Sequence, residues 1–277
     1  MGRLENKVAF ITGAARGQGR SHAVRLAQEG ADIIAIDLCG QVPSIGYPMS
    51  TPEDLEETVR LVEEQDRRII ARKADVRDED AMKQVVEEGV AELGRLDIVV
   101  ANAGVSGYGA AHELSASDWQ DVIDINQTGV WKSCKVAVPH IMAHGEGGSI
   151  VIISSAAGLH AFASLAHYVT AKTGLIGLMR AMALELGPSS IRVNSIHPTQ
   201  VDTPMLMNEF IYGLFCPDVE NATRDDLAPV SQAMHVMPVP WVDPVDISNA
   251  IVFLTSDEGR YITGVPLPVD LGSDLIS

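Results

Sequence analysis

Three polar residues in the middle of the chain have the types and spacing of an acid–base group. Tyr168 and Lys172 are four residues apart, so on a helix they share one face and hold an ammonium close to a phenol. A nearby positive charge favours the phenolate and lowers a tyrosine pKa from about 10 towards the operating pH. Ser155 follows a predicted strand, where its hydroxyl can bind the same substrate oxygen. We therefore predict that Tyr168 exchanges a proton with an alcohol or a carbonyl.

A glycine-rich turn near the start of the chain has the pattern of a phosphate-binding loop. Residues 12–19 read Thr-Gly-Ala-Ala-Arg-Gly-Gln-Gly, and they lie between a predicted strand and a predicted helix. Glycines let the backbone approach a pyrophosphate, and the N–H groups at the start of the helix receive its negative charge. The turn predicts a dinucleotide site formed by Gly13, Arg16, Gly17, Gln18 and Gly19.

The end of the second predicted strand carries an acidic residue, Asp37, eighteen positions after Gly19. Its carboxylate can accept hydrogen bonds from both ribose hydroxyls of the adenosine, whereas a 2′-phosphate would meet like-charge repulsion. Arg16 favours the opposite choice, since a guanidinium can bind a 2′-phosphate. We rank Asp37 above Arg16, because the carboxylate would have to move away for NADP to fit. The predicted cofactor is therefore NAD.

Short β-branched runs alternate with longer helical patterns and must position these groups. The runs are apolar on both sides, which is typical of a parallel sheet covered by helices on both faces. They span residues 8–11, 32–36, 69–74, 98–101, 150–153 and 192–196. At roughly 150 residues per domain the length suggests about two domains. Because no linker divides the chain, we predict one α/β domain over residues 1–277, a Rossmann-type doubly wound parallel sheet.

Two segments exceed what such a domain needs. An insertion at about 38–66 begins as a loop and becomes helical, and Thr51 can cap that helix with Pro52 as its first residue. The second segment, at about 204–242, is rich in methionine and aromatic residues. We predict that it is a substrate lid, with a hydrophobic subunit contact as an equal alternative.

Composition and charge exclude several classes of partner. The chain has 20 Lys and Arg against 37 Asp and Glu, a net charge of -17, which argues against a nucleic-acid partner. The longest uncharged stretch, residues 147–171, is interrupted throughout by Ser, His, Thr and Gly, so we expect no membrane span. No signal segment precedes the first strand, and the three cysteines are widely separated without metal-ligand spacing. We expect a cytoplasmic protein without a metal site.

Taken in order, these motifs resemble the short-chain dehydrogenase/reductase family over nearly the whole chain. The glycine loop is similar to its T-G-x-x-x-G-x-G signature, and Tyr168 and Lys172 to its Y-x-x-x-K motif. The resemblance implies a catalytic group of Asn126, Ser155, Tyr168 and Lys172, in which Lys172 also holds the nicotinamide ribose and Asn126 holds a water. It further implies cofactor contacts at Leu38, Asp75, Val76, Asn102, Ala103, Gly104, Tyr168, Lys172, Pro198, Val201 and Thr203.

One position departs from the family pattern. Thr199 follows Pro198 where most relatives have glycine, which leaves the local backbone shape open. The preceding His197 is expected to support this loop or to reach the cofactor with its ring.

The length of the insertion and its flanking motifs resemble the mycofactocin-coupled branch of the family, which includes carveol dehydrogenases. That resemblance implies a secondary, terpenoid-like alcohol, a tightly held NAD reoxidised by mycofactocin, and a homotetramer. The insertion begins at the adenosine site, so its loop can fold over the dinucleotide; the alternative is a surface elaboration that touches no ligand. The expected walls of the substrate pocket are His160, Phe162, Met205, Met207, Phe210 and Trp241.

Two alternatives stay open from the sequence. A conventional NAD-dependent reductase for 3-oxoacyl, steroid or sugar substrates would exchange its cofactor freely. A non-catalytic dinucleotide sensor would have no need for Ser155, Tyr168 and Lys172 together.

Overall fold

Seven parallel strands form the central sheet of the computed structural model, which describes residues 2–276. They are β1 (Val8–Thr12), β2 (Asp32–Asp37), β3 (Ile69–Lys73), β4 (Ile98–Ala101), β5 (Gly148–Ile153), β6 (Ile191–Pro198) and β7 (Pro266–Val269). Their order across the sheet is β3-β2-β1-β4-β5-β6-β7. The chain therefore builds one half outward from β1 and the other half outward from β4. Both halves meet at the boundary between β1 and β4.

Helices cover both faces of this sheet. They are α1 (Gly17–Gln28), α2 (Pro52–Glu63), α3 (Glu79–Leu93), α4 (Ala116–Ile123), α5 (Gly129–Ala143), α6 (Ala166–Leu186), α7 (Glu209–Phe215), α8 (Arg224–Gln232) and α9 (Pro244–Thr255). Side chains of α1, α2 and α9 form the core on one face, and those of α3, α5 and α6 form the core on the other. The predicted doubly wound α/β fold is confirmed.

Strand β1 shows why the strand sequences are apolar on both sides. Val8 and Phe10 pack into the core below α3, α5 and α6, while Ala9 and Ile11 pack below α1 and α9. Successive side chains of a strand point to opposite faces, so a strand covered on both faces must be apolar at every position.

The insertion folds as a loop, residues 38–51, followed by helix α2. Thr51 caps α2 by accepting a hydrogen bond from the Asp54 N–H, and the Asp54 carboxylate accepts one from the Thr51 N–H. This reciprocal pair and Pro52 at the first helical position fix the start of the helix. We call residues 38–51 the insertion loop.

Residues 204–242, the lid segment, leave the sheet after β6 and contain α7 and α8. The chain returns beside its point of departure, because Val201 and Val242 form a parallel bridge. The Asp202 N–H donates to the Val242 carbonyl at 3.0 Å, and the Val242 N–H donates to the Gln200 carbonyl at 3.0 Å. The lid segment therefore leaves and rejoins the rest of the fold at neighbouring positions.

Within residues 2–276, none of the helices is both long enough and apolar enough to cross a bilayer.

Candidate active site

The glycine loop connects β1 to α1 at the boundary between the two halves of the sheet. Gly13 and Gly17 have φ angles of +68° and +55°, a backbone region that favours glycine. A Cβ on Gly19 would lie 1.9 Å from the Gly13 carbonyl oxygen, so any larger residue would force the turn apart. Arg16, the residue before α1, makes no side-chain cap, which leaves the first N–H groups of the helix for an anion. This cradle fits a pyrophosphate.

Strand β4 ends beside the same loop and is tied to it by hydrogen bonds. The Thr12 hydroxyl accepts from the N–H groups of Asn102 and Ala103, at 3.1 and 3.0 Å. The Asn102 amide donates in return to the carbonyls of Thr12 and Gly13. Two loops from opposite halves of the sheet therefore form one rigid floor, as expected where a doubly wound sheet binds its ligand.

Asp37 lies at the far end of this cleft, at the end of β2. One carboxylate oxygen accepts from the Ala15 N–H at 3.0 Å, and the other accepts from the Cys39 N–H at 3.0 Å and the Ser50 hydroxyl at 2.5 Å. A carboxylate has about four acceptor positions, so these three bonds leave room for a ribose hydroxyl. A 2′-phosphate would meet the same carboxylate as a like charge, and the residues present therefore fit NAD.

Arg16, which favoured NADP in the sequence, is held by the insertion loop. Its guanidinium donates to the Pro48 carbonyl at 2.5 Å. This bond closes the insertion loop onto the glycine loop beside the cleft.

We call this space the cofactor cleft, and it contains all the predicted cofactor residues except Pro198 and Val201, which line the adjoining cavity. The predicted residues on its walls are Gly13, Arg16, Gly17, Gln18, Gly19, Asp37, Leu38, Asp75, Val76, Asn102, Ala103, Gly104, Tyr168, Lys172 and Thr203. Sequence reasoning missed Met49, Ser50, Val105 and Ile125 in the same walls. None of these four carries a motif, and only the folded chain brings them to the cleft.

Lys172 and Tyr168 project from α6 towards the end of β5. The Lys172 ammonium donates to the Ile153 carbonyl at 2.9 Å and lies 5.6 Å from the centre of the Tyr168 ring. The Ser154 hydroxyl donates to the Lys172 carbonyl at 2.9 Å, which ties the helix to the strand end. The i,i+4 geometry expected from the sequence therefore brings the phenol and the ammonium together.

Ser155 starts a short 3-10 turn, Ala156–Gly158, directly after β5. Its hydroxyl oxygen accepts from the Ala157 N–H at 3.1 Å, so its own proton is available to donate. The hydroxyls of Ser155 and Tyr168 line the same cavity and can reach one substrate oxygen.

Burial shifts the pKa values of Tyr168 and Lys172. It raises the pKa of Tyr168 to about 12, and the hydrogen bond to Ser155 offsets part of this rise. It lowers the pKa of Lys172 to about 8. The prediction that the pKa of Tyr168 is lowered is wrong for the protein alone, because burial of the phenol raises that pKa. Tyr168 therefore keeps its proton at neutral pH.

Asn126 lies in a π-helical turn, Asp124–Thr128, which joins α4 to α5. Its amide is fully buried, and it accepts from the Val105 N–H and donates to the Val105 carbonyl, both at 2.8 Å. A Cβ on Gly104 would lie 3.0 Å from the Asn126 amide oxygen and 3.5 Å from the Lys172 ammonium. Asn126 thus lies close to Gly104 and Lys172, and its amide fixes the loop after β4. It lines neither cavity.

His197 supports the catalytic strand end and does not line either cavity. Its Nδ1 lies 2.9 Å from the Ser155 carbonyl oxygen, and its Nε2 lies 2.8 Å from the Ser195 hydroxyl. A carbonyl can only accept, so Nδ1 carries the proton and Nε2 accepts from Ser195. Burial lowers the pKa of His197, which keeps the ring neutral. The ring therefore positions Ser155 through its backbone.

Thr199 connects the loop after β6 to the lid segment. Its hydroxyl donates to His235 Nε2 at 2.7 Å, and His235 Nδ1 donates to the Val239 carbonyl at 2.8 Å. A glycine in place of Thr199 could not make this bond, which gives the departure from the family pattern a physical reason.

A second cavity of about 410 Å³, the substrate cavity, adjoins the cofactor cleft at Tyr168 and Thr203. Its walls combine the Ser155 and Tyr168 hydroxyls with apolar side chains and include no charged residue among those described. Of the six predicted wall residues, Phe162 and Met205 line it, while His160, Met207, Phe210 and Trp241 do not. His160 instead contacts Asp274, and Trp241 lies under Arg224.

The apolar part of the cavity comes mainly from residues that sequence reasoning did not choose as walls. Tyr108 follows β4, and the lid segment contributes Leu206, Leu214, Phe215 and Met234. Tyr108 could have been predicted as a wall residue, because it is an aromatic residue in the glycine-containing loop after β4.

This fold and this combination of cleft, acid–base group and cavity define a dinucleotide-dependent oxidoreductase. The pattern of the short chain dehydrogenase family matches residues 7–211, and the chain belongs to that family. It is 53% identical over 276 residues to (-)-trans-carveol dehydrogenase of Rhodococcus erythropolis, covering 99% of this chain and 100% of that one.

Two solved structures are similar over the whole chain. Carveol dehydrogenase from Mycobacterium avium in complex with NAD has 60% identity and a TM-score of 0.98, covering 99% of this chain and 100% of that one. A short chain dehydrogenase from Mycobacterium paratuberculosis bound to NAD has 47% identity and a TM-score of 0.91, with the same coverage.

Replacing Tyr168 by Phe removes the proton donor and keeps the ring. We expect turnover of a secondary alcohol to fall by about a hundredfold or more, because this is the usual range for loss of a general acid–base group. Dinucleotide binding, measured by fluorescence titration, is expected to change little. Tyr261→Phe is the matched control, since that side chain is 88% exposed. Turnover close to that of the wild type in Tyr168→Phe would remove Tyr168 from the mechanism.

Two substitutions of His197 test its role as a positioning residue. His197→Leu removes the donor to the Ser155 carbonyl, and we expect kcat to fall by about tenfold with KM and dinucleotide binding little changed. His197→Asn keeps an N–H near the same place and should recover most of the kcat. Steady-state kinetics and thermal melting together separate this effect from a general loss of stability. Equal kcat in the two variants would refute the positioning role.

Proposed function

We propose that the protein interconverts an apolar, terpenoid-like secondary alcohol and its ketone, and that it holds its NAD through successive turnovers. The broader activity is that of an NAD-dependent alcohol dehydrogenase. The observation that carries it is the position of Tyr168, which lines both the cofactor cleft and the substrate cavity. A proton donor at this junction can reach a substrate oxygen in the cavity and also faces the cofactor cleft.

The protein groups have separate tasks in the reaction. NAD supplies the hydride acceptor and, when oxidised, a positive charge beside Tyr168. In ketone reduction, the protonated Tyr168 donates to the carbonyl oxygen, while the Ser155 hydroxyl binds the same oxygen. In alcohol oxidation, Tyr168 must first lose its own proton, which the positive charge of oxidised NAD would favour, and the phenolate then accepts the proton of the alcohol. We assign to Lys172 the nicotinamide ribose and to Val201 and Thr203 the carboxamide, which together orient the ring.

The walls of the substrate cavity support an apolar substrate. Phe162, Leu214, Phe215 and Met234 provide a hydrophobic surface, and Ser155 and Tyr168 present hydroxyls to the same cavity. A neutral alcohol fits this lining, whereas an acidic substrate would find no cation among the described wall residues. The (-)-trans-carveol dehydrogenase relative supports a cyclic terpenoid alcohol.

The contacts of the insertion loop support a retained cofactor. Pro48 is bonded to Arg16 on the glycine loop, and Ser50 is bonded to Asp37 at the adenosine end. Tyr47, Met49 and Ser50 line the cofactor cleft. We infer that these bonds slow the release of a dinucleotide. With the resemblance to the mycofactocin-coupled branch, this leads us to propose that bound NADH is reoxidised in place by mycofactocin as the redox partner.

Two other functions are weighed against this one. A freely exchanging reductase for 3-oxoacyl, steroid or sugar substrates would use the same catalytic group, but it would gain nothing from the bonds that close the insertion loop. A non-catalytic dinucleotide sensor would not need an apolar cavity beside Tyr168.

The proposal is tested on purified wild-type protein in two stages. The protein is first desalted repeatedly, and bound NAD is quantified after denaturation. Carveol, cyclohexanol, a steroid alcohol, a sugar alcohol and a 3-hydroxyacyl thioester are then offered, with free NAD or with an artificial electron acceptor.

We expect near-stoichiometric NAD after desalting and oxidation of cyclic alcohols that depends on the artificial acceptor. Rapid loss of NAD, followed by ordinary turnover on added NAD, would establish the exchanging reductase instead. Absence of turnover with every alcohol and its ketone, while NAD binds, would favour the sensor.

We further propose a cytoplasmic homotetramer. The three cysteines are free, as a reducing compartment would leave them. Helices α4 and α5 expose large apolar side chains, Trp119, Trp131 and Met142, which suit burial between subunits. Light scattering of the purified protein should give four times the 29.6 kDa chain mass. A monomer at micromolar concentration would contradict the proposal.

A further inference from the structure

Tyr47 is a deeply buried tyrosine of the insertion loop. It is 2% exposed, packs in the core with Val105, and lines the cofactor cleft. Its hydroxyl oxygen accepts from the Ser106 N–H at 3.0 Å. Burial raises the pKa of Tyr47 well above its ordinary value, so the hydroxyl stays protonated.

The proton of this hydroxyl has no acceptor among residues 2–276. A phenol offers one donor and also accepts, and the Ser106 N–H uses only the accepting side. Because Tyr47 lines the cofactor cleft, its proton is available to an acceptor that binds there.

The insertion loop fixes the position of Tyr47. The Gln41 amide donates to the carbonyls of Val42, Ile45 and Tyr47, and its oxygen accepts from the Met49 N–H. The Ser44 hydroxyl donates to Asp121 of α4 at 2.7 Å. The backbone that carries Tyr47 is therefore held in place.

A contact with the lid segment holds the same loop from outside. Phe210 of α7 lies against Gly46, where a Cβ would come within 2.9 Å of the ring. Phe210 also packs on Tyr108, with ring centres 6.2 Å apart.

The ends of the insertion loop and its Tyr47 face different parts of the cleft. Leu38 and Ser50 lie at Asp37, the predicted adenosine ribose site. Tyr47 reaches Ser106, which itself lines the substrate cavity together with Tyr168. The loop thus runs along the cleft, from the adenosine end to the catalytic end.

We propose that Tyr47 donates a hydrogen bond from its hydroxyl to an oxygen on the nicotinamide side of the bound dinucleotide, in the second phosphate or its ribose. This inference rests on the proposed NAD binding. Tyr47 is then the residue by which the insertion loop recognises the half of the cofactor that reacts, in addition to covering the adenosine half.

The test compares wild type, Tyr47→Phe and Tyr212→Phe, all freed of cofactor by charcoal. Tyr212 lies in α7 and lines neither cavity, so it controls for loss of a tyrosine hydroxyl. Equilibrium binding is measured for NAD, ADP-ribose and AMP, and each protein is melted with and without NAD.

We expect Tyr47→Phe to raise Kd for NAD and for ADP-ribose by about five- to tenfold, the usual effect of one lost hydrogen bond. AMP binding should be unchanged, because AMP lacks the second phosphate and ribose. Tyr212→Phe should match the wild type with all three ligands.

Melting separates recognition from a structural role. Loss of the bond to Ser106 can lower the melting temperature of the cofactor-free variant, but it would lower the NAD-bound form equally. If Tyr47 contacts the dinucleotide, the rise in melting temperature on adding NAD must be smaller in Tyr47→Phe. An unchanged rise with unchanged Kd would overturn the proposal, as would equal weakening of AMP and NAD.

The outcome is independent of cofactor retention. If wild-type protein loses NAD on desalting, the retained-cofactor proposal fails, while the ratio of Kd values still tests Tyr47. If wild-type protein binds no NAD, the proposed function itself fails.

Discussion

The burial of Lys172 is the constraint on which the site depends. An ammonium that is 3% exposed has lost most of its hydration and must recover it from fixed partners. The Ile153 carbonyl provides one partner, and the bond from Ser154 to the Lys172 backbone holds α6 against β5 at the same level. The Lys172 side chain thereby connects helix α6, the end of strand β5 and the cofactor cleft. A displacement of any of the three would leave a buried charge with too few partners.

Local patterns account for the parts of the structure that could be predicted. Strands covered on both faces must be apolar at each position, and the alternation in β1 shows the direct reason. The glycine loop could also be predicted from the sequence. A Cβ on residue 19 would lie 1.9 Å from the Gly13 carbonyl oxygen, so only glycine fits at that position. Thr51 and Pro52 likewise identified the start of α2 from the local sequence alone.

Long-range contacts account for the parts that could not be predicted. The pKa of Tyr168 depends on how much water the folded chain excludes, and burial is a property of distant elements. The contact of Phe210 with Gly46 joins residues separated by most of the chain, and neither residue belongs to a motif. His197 could be expected to support its loop, but only the structure shows that its support reaches Ser155. The cavity walls were the least predictable feature, because each is an ordinary apolar residue until the folded chain brings it into one cavity with Tyr168.

The bridge between Val201 and Val242 has a consequence for how such an enzyme diversifies. Because the lid segment leaves and rejoins the fold at adjacent positions, its two helices can be lengthened, shortened or exchanged without altering the register of β6 and β7. The acid–base group and the glycine loop lie outside that segment. Mutation can therefore change the shape of the pocket at little risk to the chemistry, and the same scaffold can serve a succession of different alcohols.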